Sequence, residues 1–518
     1  MLQSNWDELR AENIEQTVNR RRLAVKAITE FIFKISNSHC SLPIIEVMVG
    51  AIVNHPLFGR GQVLELRNAA RSAVVRFDNG IRTVVESNML STLQPAEGAA
   101  STNHRAHASQ LSAPRRERVF TPEETVRLEA RRTVEALRYG LVPSRRIREL
   151  SVGLEEERAS LHRAFSEVNE SGGAVRVILG EYGAGKSHFF ELAAQEALAQ
   201  NFVVATTSLD LREVPPNRPQ RIYHALMRGL RYPHSNETGL TPLLESLIAQ
   251  PNYSTLQDTL RGTFFASALH NYSLMREKPG EALDLLLDWM SGEKVFIKSV
   301  RDAAAIRSKE FPIPSLSQMT TAADQYCYLL NGWGWLATQA GHAGLAVFID
   351  ESEHYSLLNQ RGQERADNFF KALIYTALGA RSRINESDLQ HQHRAHSFRL
   401  TESSHLLLLF AVTPSANTFD YSRWLGDEQV LALNKYLPPA ALDELMVRLY
   451  VLHRQAYAYN KSEQFLDVAQ GLLECLDNNL INLRQVIRLA VEIFDLCYAH
   501  KDYTATQAVA ELRGALLN

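Results

Sequence analysis

The sequence predicts an α/β fold, a parallel sheet covered by helices on both faces, with a small β-rich module near the N-terminus. Three observations carry this. Largely apolar runs at Val175–Leu179, Val203–Leu209, Leu345–Ile349 and Leu406–Val412 alternate with helical stretches, the pattern of strands buried on both faces. A glycine-rich loop, Gly180 to Ser187, joins the first run to a helix. Residues 45–94 instead carry short β-rich runs broken by turn residues.

Length and composition bound the rest. A chain of 518 residues implies two to four domains. Hydrophobic residues at 45% and charged residues at 22% exclude a disordered or fibrous protein. Lys and Arg total 55 against 58 Asp and Glu, a net charge of −3, so any nucleic-acid contact is local. Cys40, Cys327, Cys475 and Cys497 show no CxxC spacing, which argues against structural zinc or a disulfide framework. No apolar stretch approaches the ~20 residues of a membrane span, and the polar N-terminus reads as no secretory signal. A cytoplasmic protein is expected.

Along the chain, residues 1–44 read as a packing helix, with Trp6, Leu9, Ile14 and Val18 at helical spacing. Within 45–94, runs at Ala51–Val53, Gln62–Leu66, Ser72–Phe77 and Arg82–Val85 are separated by turn signals such as Asp78-Asn79-Gly80. A small SH3- or Tudor-like barrel is expected. Residues 95–120 read as a flexible linker. From 101 to 150 there are 11 Arg and 6 acidic residues, a candidate patch for nucleic acid or an acidic partner or, alternatively, a solvated helix face. The α/β domain is expected over 121–437, with a helical insertion over about 211–340 and Val430–Leu433 as a fifth strand. A helical lid follows over 438–518.

The loop Gly180-Glu181-Tyr182-Gly183-Ala184-Gly185-Lys186-Ser187 fits G-x-x-x-x-G-K-[ST], the phosphate-cradling P-loop. Its glycines allow backbone N–H groups to curl around phosphate, and the helix N-terminus adds positive charge. Lys186 reaches β- and γ-phosphates, and Ser187 is a Mg²⁺ ligand. The run Leu345–Ile349 ends in Asp350 and Glu351. Asp350 is the second Mg²⁺ residue, and Glu351 the carboxylate that polarises the attacking water. ATP and Mg²⁺ are the expected ligands.

This order resembles AAA+-like P-loop ATPases of the additional-strand group. The resemblance implies that Thr413, ending run 406–412, is a γ-phosphate sensor and Arg484 a nucleotide contact from the lid. It also implies self-association, with an arginine finger acting on a neighbour. Arg381 and Arg383 are the candidates, with Arg361, Arg365 and Arg423 competing. His391, His393, His396 and His405 crowd one region without cysteine or carboxylate partners, so an exposed loop is favoured over zinc. Trp333 and Trp335 read as helix-end packing.

Two further resemblances are more specific. Val53, His55, Phe58, Gly59, Gly61, Val63, Val75, Phe77 and Gly80 are spaced as in the barrel at the C-terminus of UvrD-type helicases. The run Ala130 to Pro143, then Val152-Gly153, then Gly180–Ser187 with His188-Phe189-Phe190, and then Arg221-Ile222-Tyr223, resembles the ATP-binding family of BREX-type phage-defence systems. It places His188 with the nucleotide-binding residues. It implies an ATPase acting on DNA or on a DNA-acting partner, a helicase or methyltransferase. The alternative is a nucleotide-gated adaptor with negligible turnover. A small-molecule kinase fits the long insertion and lid less well.

Overall fold

The computed structural model describes strand residues between 52 and 92, and residues 121–511 apart from 278–279, 304–310, 315–321, 390–398, 415–419, 434–436 and most of 460–482 and 501–505. The expected N-terminal helix, the 95–120 linker and His391, His393 and His396 lie outside the described residues. The chain divides into two units, residues 1–120 with 514–518, and residues 121–513.

In the first unit, β1 (Ile52–His55), β2 (Gly59–Arg67), β3 (Ser72–Phe77), β4 (Arg82–Glu86) and β5 (Ser91–Thr92) form one sheet in the order β4-β3-β2-β1-β5. All its pairings are antiparallel. Val53, Val63 and Val75, on three neighbouring strands, are buried.

The second unit is built on β6 (Gly173–Leu179), β7 (Phe202–Ser208), β8 (Gly344–Asp350), β9 (Leu406–Val412) and β10 (Val430–Ala432). Every pairing is parallel, and the order is β10-β6-β9-β8-β7. β9 therefore lies between the P-loop strand and the strand ending at Asp350. Alternation along each strand divides the side chains between two cores. Val175, Val177, Val347, Leu408 and Phe410 face one side, against Tyr223, Phe265, Trp333 and Phe369 from the helical insertion and the helix Gln360–Leu378. Ala174, Ile178, Phe348 and Leu409 face the other, against Phe165, Phe189 and Ala193 of the helices Glu155–Ser171 and Lys186–Ala199.

Seven described helices separate β7 from β8. Two of them, Tyr253–Thr259 and Phe264–Met275, follow one another closely. Gly262 at φ +81° breaks the chain there, and the Thr263 side chain caps the second helix by accepting from the Ala266 N–H. Trp333 does not sit at a helix end. It lies within Ala322–Gln339, where its Nε1 donates to the Tyr223 hydroxyl at 2.8 Å. The neighbouring Gly332 leaves room for Phe265, whose ring a Cβ would meet at 2.0 Å.

The helix Pro122–Arg138, capped by Thr121 and Glu124, packs on Pro439–Tyr457 and Leu483–Ala499 rather than on the sheet. Arg138 forks onto Asp495, with Nε and Nη2 each at 2.9 Å from an oxygen, and His453 contacts the same carboxylate at 2.9 Å. The apolar spacing of this helix carries no information on which neighbour it meets. Several arginines of the arginine-rich stretch make contacts within the fold. Arg131 donates to the Ala456 carbonyl, Arg145 to Glu129, Arg146 to Gln455 and Arg148 to the Gln195 carbonyl. Arg131, Arg145 and Arg148 nonetheless remain exposed.

Candidate nucleotide site

The site lies at the carboxyl ends of β6, β8 and β9. The chain leaves β6 at Leu179, and the Gly180 N–H donates to the Val412 carbonyl at 3.2 Å. The loop then turns through Gly183 at φ +84° and Gly185 at φ +89°, values that side chains rarely adopt. A Cβ on Gly185 would meet nothing within 4 Å, and Gly183 to Ser187 line open space at the N-terminus of Lys186–Ala199. That is the geometry of a phosphate cradle.

Lys186 is buried. Its Nζ donates to the Gly180 carbonyl at 2.9 Å, the Glu181 carbonyl at 3.3 Å and the Thr413 hydroxyl at 2.8 Å. Thr413 in turn donates to Glu353 Oε1 at 2.7 Å. Ser187 Oγ donates to Asp350 Oδ2 at 2.9 Å, and the Glu351 N–H donates to Asp350 Oδ1 at 2.8 Å. Glu351 has a left-handed backbone, φ +57°. Its exposed carboxylate lies 3.8 Å from His354.

The parts suit Mg²⁺. No group of three or more His, Cys, Asp or Glu that could hold a metal occurs among the described residues. A hydroxyl and one carboxylate side by side, beside a phosphate cradle, are the sparse protein donors that Mg²⁺ uses together with substrate phosphates and water. Ser187 and Asp350 would hold it. When bound, it would neutralise phosphate charge.

A cavity of about 320 Å³ extends from this cluster. Its polar wall includes Tyr182, Gly183, Ala184, Gly185, Lys186, Ser187, Asp350, Glu351 and Glu353. Its apolar wall comes from Gly140, Leu141, Val142, Pro143, Val152 and Gly153, closed by Leu433, Leu437 and Ile487. Tyr182 is 75% exposed at the rim. Arg484 also lines the cavity, from the first turn of Leu483–Ala499. Burial raises the pKa of the lining carboxyl Glu157.

His188 lines the cavity too, but its Nε2 lies 2.9 Å from Ser151 Oγ. Ser151 gives its proton to the Ile147 carbonyl at 2.7 Å, so the imidazole is the donor. Burial lowers the His188 pKa to about 4, which keeps the ring neutral.

The structure does not bring Arg381 or Arg383 to this site. Arg381 Nη2 donates to the Ser171 and Gly173 carbonyls at 3.0 and 2.7 Å, at the amino end of β6 and so across the sheet from the loop. Arg383 donates to the Ser422 carbonyl at 3.2 Å. Of the competing arginines, Arg423 pairs with Asp420 at 2.7 Å.

Sequence reasoning gave no role to Glu353 or Ser151. Glu353 stands two residues past the expected acidic pair, where no spacing rule marks it. Residues 140–143 and 152–153 served only as signature strings, because an apolar wall carries no reactive group to flag it.

No helix among the described residues is long and apolar enough to cross a membrane. No curated protein gives a significant match to the chain. Residues 126–259 match the family described as BREX system ATP-binding protein BrxC/D. This span includes the cradle, Lys186, Ser187 and the apolar wall at 140–153, and stops before Asp350 and Thr413. Over the segment that builds the P-loop, the chain is similar to the ATP-binding proteins of the BREX system.

Proposed function

We propose that this chain is an ATPase that hydrolyses ATP with Mg²⁺ and couples turnover to DNA, or to a DNA-acting partner, in antiviral defence. The observation that supports it most directly is the meeting of Lys186, Ser187, Asp350 and Thr413 at the ends of three strands, with β9 inserted between β6 and β8. Phosphates in the cradle would take Lys186 from its carbonyl acceptors. Their charge would be met by Lys186 and the helix N-terminus. The apolar wall would cover the base and Arg484 would approach from the lid. Glu351 would orient water, a role that needs its carboxylate turned inward from its exposed position. Arg60, Arg67, Arg71, Arg76 and Arg82 give the β-rich module a slight basic tendency, against Glu46, Glu65, Asp78 and Glu86, that would serve in recruiting DNA or an acidic partner. Self-association in ATP belongs to the same reading.

One observation favours the adaptor reading. The Glu351 carboxylate faces solvent and His354, as in a site that binds ATP without turning it over. The test is ATP binding and turnover by the purified protein, with and without duplex DNA. Lys186→Ala should weaken ATP binding at least tenfold. Glu351→Gln should keep binding and lose turnover by a hundredfold or more, the scale of a lost transition-state contact. Equal turnover in Glu351→Gln and parent overturns the catalytic role. Tight ATP binding with no parental turnover supports the adaptor.

A further inference from the structure

The chain Lys186–Thr413–Glu353 has a fixed direction. A carboxylate only accepts, so Thr413 must give its single hydroxyl proton to Glu353 Oε1. The Thr413 oxygen is then left to accept from Lys186 Nζ. In this arrangement Thr413 offers no donor to a phosphate, and Lys186 is tied to three protein oxygens. The other Glu353 oxygen, Oε2, and the adjacent Ser352 Oγ are buried and have no hydrogen-bond partner among the described residues. Buried polar atoms rarely stay unpaired. Glu353 also lines the cavity that holds the cradle.

We propose that Glu353 is a positioning residue that sets how strongly the site distinguishes a nucleoside triphosphate from a diphosphate. It acts through Thr413. While Glu353 is a carboxylate, it holds the Thr413 proton away from the cradle and helps to hold Lys186 back. A triphosphate must break this chain to gain Lys186 and Thr413. A diphosphate offers its β-phosphate to Lys186 but brings no terminal γ-phosphate to Thr413. The inference rests on the ATP-binding reading above and adds to it a residue that tunes selectivity.

Glu353→Gln keeps the size of the side chain and removes its charge. The amide can donate to Thr413, which frees the hydroxyl proton for phosphate. The experiment measures dissociation constants for ADP and a slowly hydrolysed ATP analogue by calorimetry, together with kcat and KM, in parent, Glu353→Gln, Thr413→Val and the double variant. Glu353→Gln should tighten the ATP analogue by about tenfold, the effect of freeing one charge-assisted hydrogen bond from Thr413 to the terminal phosphate. ADP affinity should stay within about threefold, and kcat should fall. In the Thr413→Val background the same change should have at most a small effect, since the pair acts as a unit. A thermal melt confirms that each variant is folded.

Equal changes for both nucleotides, or none, in a folded Glu353→Gln protein overturn the proposal. So does a full Glu353→Gln effect in the Thr413→Val background. Lys186→Ala is run alongside. If it binds ATP as the parent does, the ATP-site reading itself fails. If it loses binding while Glu353→Gln changes nothing, only the role of Glu353 fails.

Discussion

Gly185→Ala separates the cost of backbone strain from the cost of filling the cradle. Gly185 has φ +89° and ψ +16°. A residue with a Cβ pays about 1–2 kcal/mol to hold a left-handed conformation. No steric term is added, because the new Cβ meets nothing within 4 Å. The variant should fold, with Tm lowered by roughly 1–3 °C, because an unfolding entropy of about 2.1 cal/mol/K per residue over the unit 121–513 gives ~1.2 °C per kcal/mol. Binding should suffer more. Gly185 lines the cavity, and an added methyl there competes for the space in which a phosphate would accept backbone N–H groups. Losing one charge-assisted hydrogen bond there costs about 1.5–3 kcal/mol, or roughly 10- to 150-fold in affinity. Calorimetric titration with ATP, paired with a thermal melt of the same sample, reads both terms. ATP affinity within twofold of the parent in a folded Gly185→Ala protein would refute the assignment of this loop as the cradle.

Two further predictions concern stability. His188 is held neutral with a pKa near 4, while the unfolded chain returns it to ~6.5. The unfolded state binds the extra proton between these values, so stability rises with pH across that window. It is complete above about pH 6.5 and falls by at most about 3 kcal/mol as pH drops toward 4. Denaturant titrations at pH 7.5 and 5 should show the parent losing more stability than His188→Gln, and equal losses would remove His188 as the cause. Asp495→Ala should cost about 1–3 kcal/mol, because it strands Arg138 and His453 in a partly buried junction. ATP affinity should weaken with it, since Leu483, Arg484 and Ile487 on the same helix line the cavity; stability within about 0.5 kcal/mol of the parent would count against that junction.

The sequence alone determined the features that local chemistry encodes. The runs 175–179, 203–209, 345–349 and 406–412 are largely apolar because a parallel strand buried on both faces has little solvent side; Arg176 and the strand end Thr206–Ser208 are the polar exceptions, and each run coincides with a strand of the sheet to within two residues. Gly183, Gly185, Lys186 and Ser187 were legible because a phosphate cradle needs positive φ, an N–H array and a cation in fixed order along a few residues. Asp350 was legible because it ends an apolar strand. Tertiary structure decided whatever depends on partners distant in the chain. It put Thr413 against Lys186 and Glu353, and Ser187 against Asp350 across 163 residues. It turned residues 140–153 into a cavity wall and drew the arginines of 131–148 into internal contacts with Ala456, Gln455 and Asp495. It left Arg381 at the far end of β6. The physical reason is one of range. Backbone conformation and strand burial are set by neighbours in sequence, whereas the pairing of a charge or hydroxyl is set by whichever group the packed helices and strands bring within hydrogen-bond distance.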